Sequence, residues 1–208
     1  MLIVGVIVVA LGLLVPLALW PSVTLRRAGR LFALLAIVVV PVGAGFAGLS
    51  THVERAKTVA FCTSCHVMER YGQSLHIDDI THLPATHYQY NRVPRETACF
   101  TCHTDYTMFG DYKAKLRGLR HVWIQYLGTI PTKIQLYTPF RNRECLHCHD
   151  GARSFVESVT HKSEPGRLAS IRNESLSCLS KGCHDTTHDI GQVGALASWP
   201  AHEEKNHE

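Results

Sequence analysis

Four times along the chain two cysteines stand close together with a histidine directly after the second: Cys62, Cys65 and His66; Cys99, Cys102 and His103; Cys145, Cys148 and His149; Cys178, Cys183 and His184. All eight cysteines are used this way. In a C-x-x-C-H motif two thiols add across the vinyl groups of a haem and the adjacent histidine binds the iron from one face, so spacing and chemistry are one fact. The chain is therefore read as carrying four covalently bound haem c groups, and its fold must be one that wraps large flat macrocycles. Zinc knuckles built by pairing the same cysteines compete with this reading, but zinc does not require a histidine at the same place four times. A disulfide framework leaves those histidines without a role. The fourth motif has four residues between its cysteines instead of two. Its wider loop can still reach both vinyls, with a local Cys178–Cys183 disulfide as the alternative.

Composition decides how such a fold is filled. A large share of the apolar residues lies in the first fifty of 208 positions, and from Thr51 onward long apolar runs are few. A segment of that kind buries too little surface to hold itself together easily. Ligated macrocycles supply the missing interior, so without haem the protein is expected to be unfolded beyond its apolar start. The formal charge of +4 is not read as a sign of an anionic partner, because arginine and lysine pair with haem propionates. No basic run interleaved with aromatics points to nucleic acid, and that class is set aside.

Leu2 to Trp20 and Leu31 to Leu49 are uncharged apolar stretches, each close to the ~20 residues that span a bilayer core. Both are read as transmembrane helices, with Pro16 and Pro41 as tolerated kinks and Trp20 at an interface. The first stretch lacks the positive start and small-residue cleavage site of a signal peptide. Between them Arg26, Arg27 and Arg30 form a loop without an acid, which is assigned to the cytoplasmic side, leaving everything after Leu49 outside. Haem attachment outside the cytoplasmic membrane agrees with that topology. The expected fold is mainly α: an N-terminal transmembrane helical hairpin (1–50), a small haem-packed multihaem cytochrome c domain with little regular secondary structure (51–194) and a flexible C-terminal tail (195–208). The expected location is the cytoplasmic (inner) membrane, two-pass, with the haem domain periplasmic. The short Thr51–Ala60 connection keeps the first haem near the membrane surface.

Asp111 to Gly128 reads as an amphipathic helix, with Leu116, Leu119, Trp123 and Leu127 at helical spacing and Lys113, Lys115, Arg117 and Arg120 on a basic side. Packing on haem faces is the expectation, and binding at a membrane interface is the alternative. Pro131 and Pro139 bracket an extended stretch, and Ser163 to Ser177 reads as a surface loop or short helix.

Apolar spans followed at once by CTSCHVM, then by three further haem motifs, resemble the NapC/NirT/NrfH family of membrane-anchored tetrahaem quinol dehydrogenases. The resemblance runs from about Phe61 to His188 and includes His87-Tyr-Gln-Tyr-Asn91, Lys115 and Cys183-His184-Asp-Thr-Thr-His188. Three features depart from the family's usual pattern: a second apolar stretch, the wider fourth motif and a longer segment between the third and fourth motifs. They bear on partner and subgroup more than on activity. The resemblance implies that Met68, rather than His66, binds the first iron, a soft thioether that raises potential relative to two histidines. The alternative is that His66 ligates and Met68 packs against the ring. His103, His149 and His184 are read as proximal ligands of the other haems. For their distal ligands the pool is His52, His76, His82, His87, His121, His147, His161, His188, His202 and His207, from which the resemblance selects His87, His161 and His188. His147 lies inside its motif and is poorly placed to turn toward an iron.

The same resemblance implies that a membrane quinol, menaquinol or ubiquinol, is the electron donor. Lys115 matches the family's proton-handling position, and Asp111 and His121 are local groups able to titrate or bond to the quinol headgroup. Pairing of Lys115 with a propionate is the alternative. Where nitrite reductase partners of this family often carry an acid seven positions later, this chain has Val122, with His121 beside it. A six-coordinate haem has no vacancy for substrate, so electrons are expected to pass to a periplasmic multihaem reductase of the nitrite reductase type, or to other membrane redox subunits in a hetero-oligomer. Two further readings stay open: a haem conduit inside a larger membrane redox complex, and transfer from a periplasmic oxidase into the quinone pool.

Overall fold

The computed structural model describes residues 2–131, 134, 136 and 138–199. The extended stretch expected between Pro131 and Pro139 falls partly outside the described residues, as do His202, His207 and the rest of 200–208. The chain divides into two compact units, 1–54 and 55–208.

The first unit is helical throughout. Helix α1 (Leu2–Leu19) leads through a 3-10 turn, Pro21–Leu25, into α2 (Arg27–Leu34), a π-helical turn Leu35–Val39, and α3 (Val40–Arg55). In the turn, the Thr24 hydroxyl donates to Pro21 O at 2.8 Å and Arg30 Nε donates to Thr24 O at 3.2 Å. From Arg27 to Arg55 the path is one 29-residue helix, long and apolar enough to cross a membrane. At about 1.5 Å per residue it measures roughly 43 Å, against a hydrocarbon core of about 30 Å. Among the described residues it is the one helix that meets that description, so of the two expected spans one is found at full length; α1 is an apolar helix of 18 residues. The π turn has a local cause. Pro41 has no N–H to give the carbonyl four residues back and its ring would strike that carbonyl, so a wider turn just ahead of it relieves both problems. The helix also runs past Leu49, where a connection was expected: the Thr51 hydroxyl donates to Ala47 O at 2.9 Å, and the helix holds to Arg55.

The second unit is a string of short helices: α4 (Val59–Thr63), α5 (Glu69–Gln73), α6 (Leu83–Gln89), α7 (Ala98–His103), α8 (Gly110–Leu127), α9 (Asn142–His149), α10 (Arg153–Val156), α11 (Val159–Lys162) and α12 (Arg167–Arg172). Only α8 exceeds eight residues. Among the described residues there is no β-strand, only an isolated bridge between Ile77 and Ser198. Its buried apolar side chains are Leu75, Ile77, Ala85, Ala98, Phe100, Phe155 and Ile171. That is a thin interior for so many turns of helix, each too short to persist alone. Residues 195–199, expected in a flexible tail, are tied back to the domain: Asp78 N donates to Ala197 O at 2.8 Å and Trp199 N donates to His76 O at 2.7 Å. The Arg95 guanidinium then lies over both Trp199 and Tyr88.

Helix α8 starts where it does because Gly110 packs directly on the Asp105 carbonyl; a Cβ there would fall 1.4 Å from that oxygen. Asp105 is almost fully buried and faces Arg143 Nη2 at 2.7 Å, Lys113 at 3.2 Å and Arg117 at 3.6 Å. Burial alone would raise its pKa, but the Thr107 hydroxyl, Lys113 and Arg143 outweigh it and hold the carboxyl below its usual range. One buried anion thereby ties α8 to α9.

Candidate functional site

Two of the four cysteine–histidine motifs are built wholly on helix, and the first begins on one. Cys62 lies on α4, while α7 and α9 carry both cysteines and the histidine of their motifs. In a helix positions three and four apart share a face, so two thiols and an imidazole converge without further design. The fourth motif reaches the same result by a loop. Gly182 takes a left-handed φ of 82°, Cys183 N donates to Ser180 O at 2.9 Å, and His184 N donates back to Cys178 O at 3.0 Å. The two extra residues are absorbed in that turn.

Asn142, which no motif singles out, anchors this loop. Buried at the start of α9, it donates from Nδ2 to Ile171 O (2.8 Å) and Leu176 O (2.6 Å), and its Oδ1 accepts from Cys178 N at 2.8 Å. The third and fourth motifs are thus held by one side chain. Their first cysteines, Cys145 and Cys178, act on each other's ionisation, as do Cys62 and Cys99. All eight cysteines are free, Cys178 and Cys183 included. Among the described residues no group of three or more His, Cys, Asp or Glu converges as zinc ligands would.

The histidines pair across the domain. His149 faces His87 with ring centroids 6.0 Å apart, His103 faces His188 at 6.1 Å, and His184 faces His161 at 6.1 Å. An iron held between two imidazole nitrogens, at about 2 Å from each, places the ring centres roughly 6 Å apart. Each pair therefore has the separation that bis-histidine ligation of one metal needs. In every pair one member belongs to a cysteine motif and the other to a distant segment.

The distant member is oriented by its other ring nitrogen. His87 Nδ1 contacts Leu83 O at 2.8 Å, His161 Nδ1 contacts Phe155 O at 3.0 Å, and His188 Nδ1 contacts Ser74 Oγ at 2.8 Å. A proton held at Nδ1 by a carbonyl leaves Nε2 with its lone pair, the form that ligates metal. The Ser74 hydroxyl itself donates to Tyr71 O at 2.7 Å, so it accepts from His188 in the same sense. His188 is left-handed, with φ 33°, a strained backbone for a residue with a side chain. Desolvation, with help from His103 and His82, lowers its pKa to about 4 and keeps it neutral. Desolvation lowers His149 in the same way. The Ser158 hydroxyl caps α11 by accepting from His161 N, which sets the start of that one-turn helix and the direction of its histidine.

The other histidines behave differently. His147 stacks flat on Tyr106, with centroids 3.8 Å apart. His82 is buried and its Nε2 accepts from Asp189 N at 3.3 Å, beside His188. At the first motif His66 is exposed, and among the described residues no second imidazole faces it. Met68 is half-buried two residues on, at the end of the 3-10 turn His66–Met68.

Of the three expected proton-handling groups, Lys115 and Asp111 come together beside the first motif. Lys115 Nζ donates to Ala56 O and lies over the Phe100 ring at 4.5 Å and the Phe61 ring at 5.8 Å. Asp111 pairs with Lys57 at 2.5 Å and accepts from the Thr104 hydroxyl at 3.1 Å. Lys57 was missed in the sequence because its partner is 54 residues away. Burial pushes the Lys115 ammonium below its usual pKa, Lys57 adds to this, and Cys62, Cys99 and Asp111 oppose it. His121 stands farther along α8, its pKa lowered by burial and by Arg120.

Comparison with known proteins agrees with this chemistry. Residues 26–193 match the family model described as the NapC/NirT cytochrome c family, N-terminal region. The cytochrome c-type protein NapC of Haemophilus influenzae is 23% identical over 195 residues, covering 83% of this chain and 89% of that protein. The denitrification system component NirT of Stutzerimonas stutzeri is 26% identical over 181 residues, covering 77% and 83%. A protein of Allochromatium vinosum described as a tetraheme cytochrome-c type is 25% identical over 150 residues, covering 64% and 73%. No solved structure matches the chain.

Proposed function

The chain belongs to the NapC/NirT cytochrome c family, and from that premise we propose that it is a two-pass inner-membrane cytochrome with a periplasmic domain that takes electrons from membrane quinol and hands them to a redox partner. The single observation that carries the reading is the set of three facing histidine pairs at 6.0–6.1 Å. Haem c, when bound, supplies one-electron carriers, four of them if the wider fourth motif is loaded like the others. Cys62 and Cys65, Cys99 and Cys102, Cys145 and Cys148, and Cys178 and Cys183 would hold the four groups. His103 with His188, His149 with His87, and His184 with His161 would hold the iron of three of them. Met68 is the proposed ligand at the first motif, with His66 as its competitor. Its exchange for leucine is expected to change the spectrum and potential of a single haem.

Quinol oxidation releases two protons as well as two electrons, so its site needs groups that accept protons. The Lys115–Asp111–Lys57 cluster beside Cys62 fits that need. Phe61 and Phe100 give an apolar flank suited to a quinone ring, Lys115 Nζ has a lowered pKa, and the Asp111 carboxylate can bond to a hydroxyl. The relatives called NapC and NirT, one of them named for a denitrification system, support a periplasmic reductase as the electron acceptor. The test is stopped-flow reduction of the purified protein by menaquinol and ubiquinol analogues. Rapid reduction that Lys115→Leu slows by an order of magnitude or more, with haem content unchanged, is expected. Equal rates in the two proteins would remove Lys115 from the site. Reduction that is slow in both until other membrane subunits are added would favour the conduit reading.

A further inference from the structure

Helix α8 is amphipathic in the reverse sense to that of a helix packed on a core. Asp111, Ala114, Lys115, Gly118, His121 and Gln125 are half-buried on one flank, and Tyr112 and Ile124 are half-buried outside it. Its large apolar residues Leu116, Leu119, Trp123 and Leu127 are exposed, Trp123 by 64%. At about 100° per residue these four cluster on one side of the helix. Tyr126, 77% exposed, borders them, and Met108 and Phe109, 82% and 74% exposed, continue the apolar surface just before the helix begins. The inward flank is the one that meets the haem motifs: Lys115 acts electrostatically on Cys62, and His121 and Lys115 on His103. The outward apolar flank is therefore turned away from the sites where haem would attach, and packing on haem faces does not account for it.

From this geometry we infer that the outer face of α8, with Met108 and Phe109, lies on the surface of an anionic lipid bilayer. A contiguous exposed apolar patch of this kind marks an interaction surface. Three features select lipid as the occupant. Lys113, Arg117 and Arg120 line one border, and from Tyr112 to Leu127 the helix has no acid. Lys113 and Arg117 share Asp105 with Arg143, which also meets Glu144, so three cations face two anions and the border stays positive. Trp123, Tyr126 and Phe109 are the aromatic types enriched at the membrane interface, and basic residues beside apolar ones suit a helix lying in that plane. Finally, the same chain carries the 27–55 helix, long and apolar enough to cross a bilayer, which keeps a lipid surface within reach.

The test uses the full haem-loaded protein in nanodiscs of phosphatidylcholine, with or without phosphatidylglycerol, and a lipid-soluble carbene photolabel read out by peptide mapping. Peptides of α8 are expected to carry several-fold more label than those of α9 to α12, and more again with phosphatidylglycerol present. Leu119→Glu combined with Trp123→Glu should bring α8 down to the level of α9, with the haem mass and Soret band unchanged. Labelling of α8 no greater than that of α9 in both lipids would overturn the inference. So would protection of α8 that grows with protein concentration, which assigns the face to a second copy, or that appears only with a redox partner. The inference does not require the quinol reading: Lys115→Leu, on the inward flank, should leave labelling intact whatever it does to quinol reduction.

Discussion

The two units solve the same problem, how to satisfy a backbone, with opposite resources. Residues 2–55 do it locally. Nearly every N–H in a continuous helix is paired within four or five residues, and the apolar side chains that coat it, such as Ile37 and Phe46, stay exposed because lipid is the solvent they suit. The second unit has helices of mostly four to eight residues, below the length at which a helix holds in water. Its buried apolar set is small, and many of its long-range ties are polar: Asn142 to three backbone groups, Asp105 to three cations, Ser74 to His188. One unit pairs its backbone within a helix; the other ties distant segments together through a few side chains. The proline inside the 27–55 helix costs a single π turn, whereas the two-residue insertion in the fourth motif needs a left-handed glycine and a buried asparagine to be tolerated.

The sharpest way to break this contrast is to withhold haem. Replacing all eight cysteines by alanine should leave residues 2–55 helical in detergent while the amides of 59–172 lose their slow hydrogen exchange. Equal protection with and without haem would show that the second unit has an interior of its own. Next in size, Cys178→Ala with Cys183→Ala should lower the intact mass and the pyridine haemochrome yield by one haem, and an unchanged mass would mean that the wide loop is never loaded. Asn142→Ala takes the side-chain partner from the Leu176 carbonyl and the Cys178 N–H, while Ile171 O keeps the Glu174 N–H. It should cost on the order of 3 kcal/mol in denaturant unfolding followed at the Soret band. A loss under about 0.5 kcal/mol would show that the loop is held by something else.

A smaller effect concerns pH. Because burial lowers the Lys115 pKa, its neutral, proton-accepting form is gained as pH rises through a value below the ordinary lysine range. Quinol-driven reduction should therefore rise with pH there, and Lys115→Arg should abolish that inflection. The smallest effect is expected from Pro41→Ala. It lets the π turn revert to α-helix, and it should leave the haem spectrum and the second unit's unfolding midpoint unchanged within about 0.5 kcal/mol, as befits independent sites.

Much of this could be read directly from the residues. The motif spacing identified eight cysteines and four histidines because thioether chemistry acts over a few residues. The α8 boundaries expected at 111–128 differ from those found, 110–127, by one residue at each end. Other features were out of reach. Lys57 and Asn142 carry no local signature; each matters only through partners brought from 54 and about 30 residues away in the chain. The π turn follows from Pro41, yet a kink was as good an expectation as a widened turn. The outward placement of the apolar stripe of α8 is also a tertiary fact, since periodicity identifies a face but not which way it turns.

By itself the sequence determined the chemistry of attachment, the apolar start and the family, because covalent spacing, hydropathy and motif order are properties of neighbouring residues. Only the tertiary structure decided which distant histidine meets which motif: His87 with His149, His188 with His103, His161 with His184. The reason is physical. Such a pairing is specified by where the chain returns after tens of residues, and by the Leu83, Phe155 and Ser74 oxygens that hold Nδ1 once it has returned. Neither is encoded in the spacing of the histidines themselves.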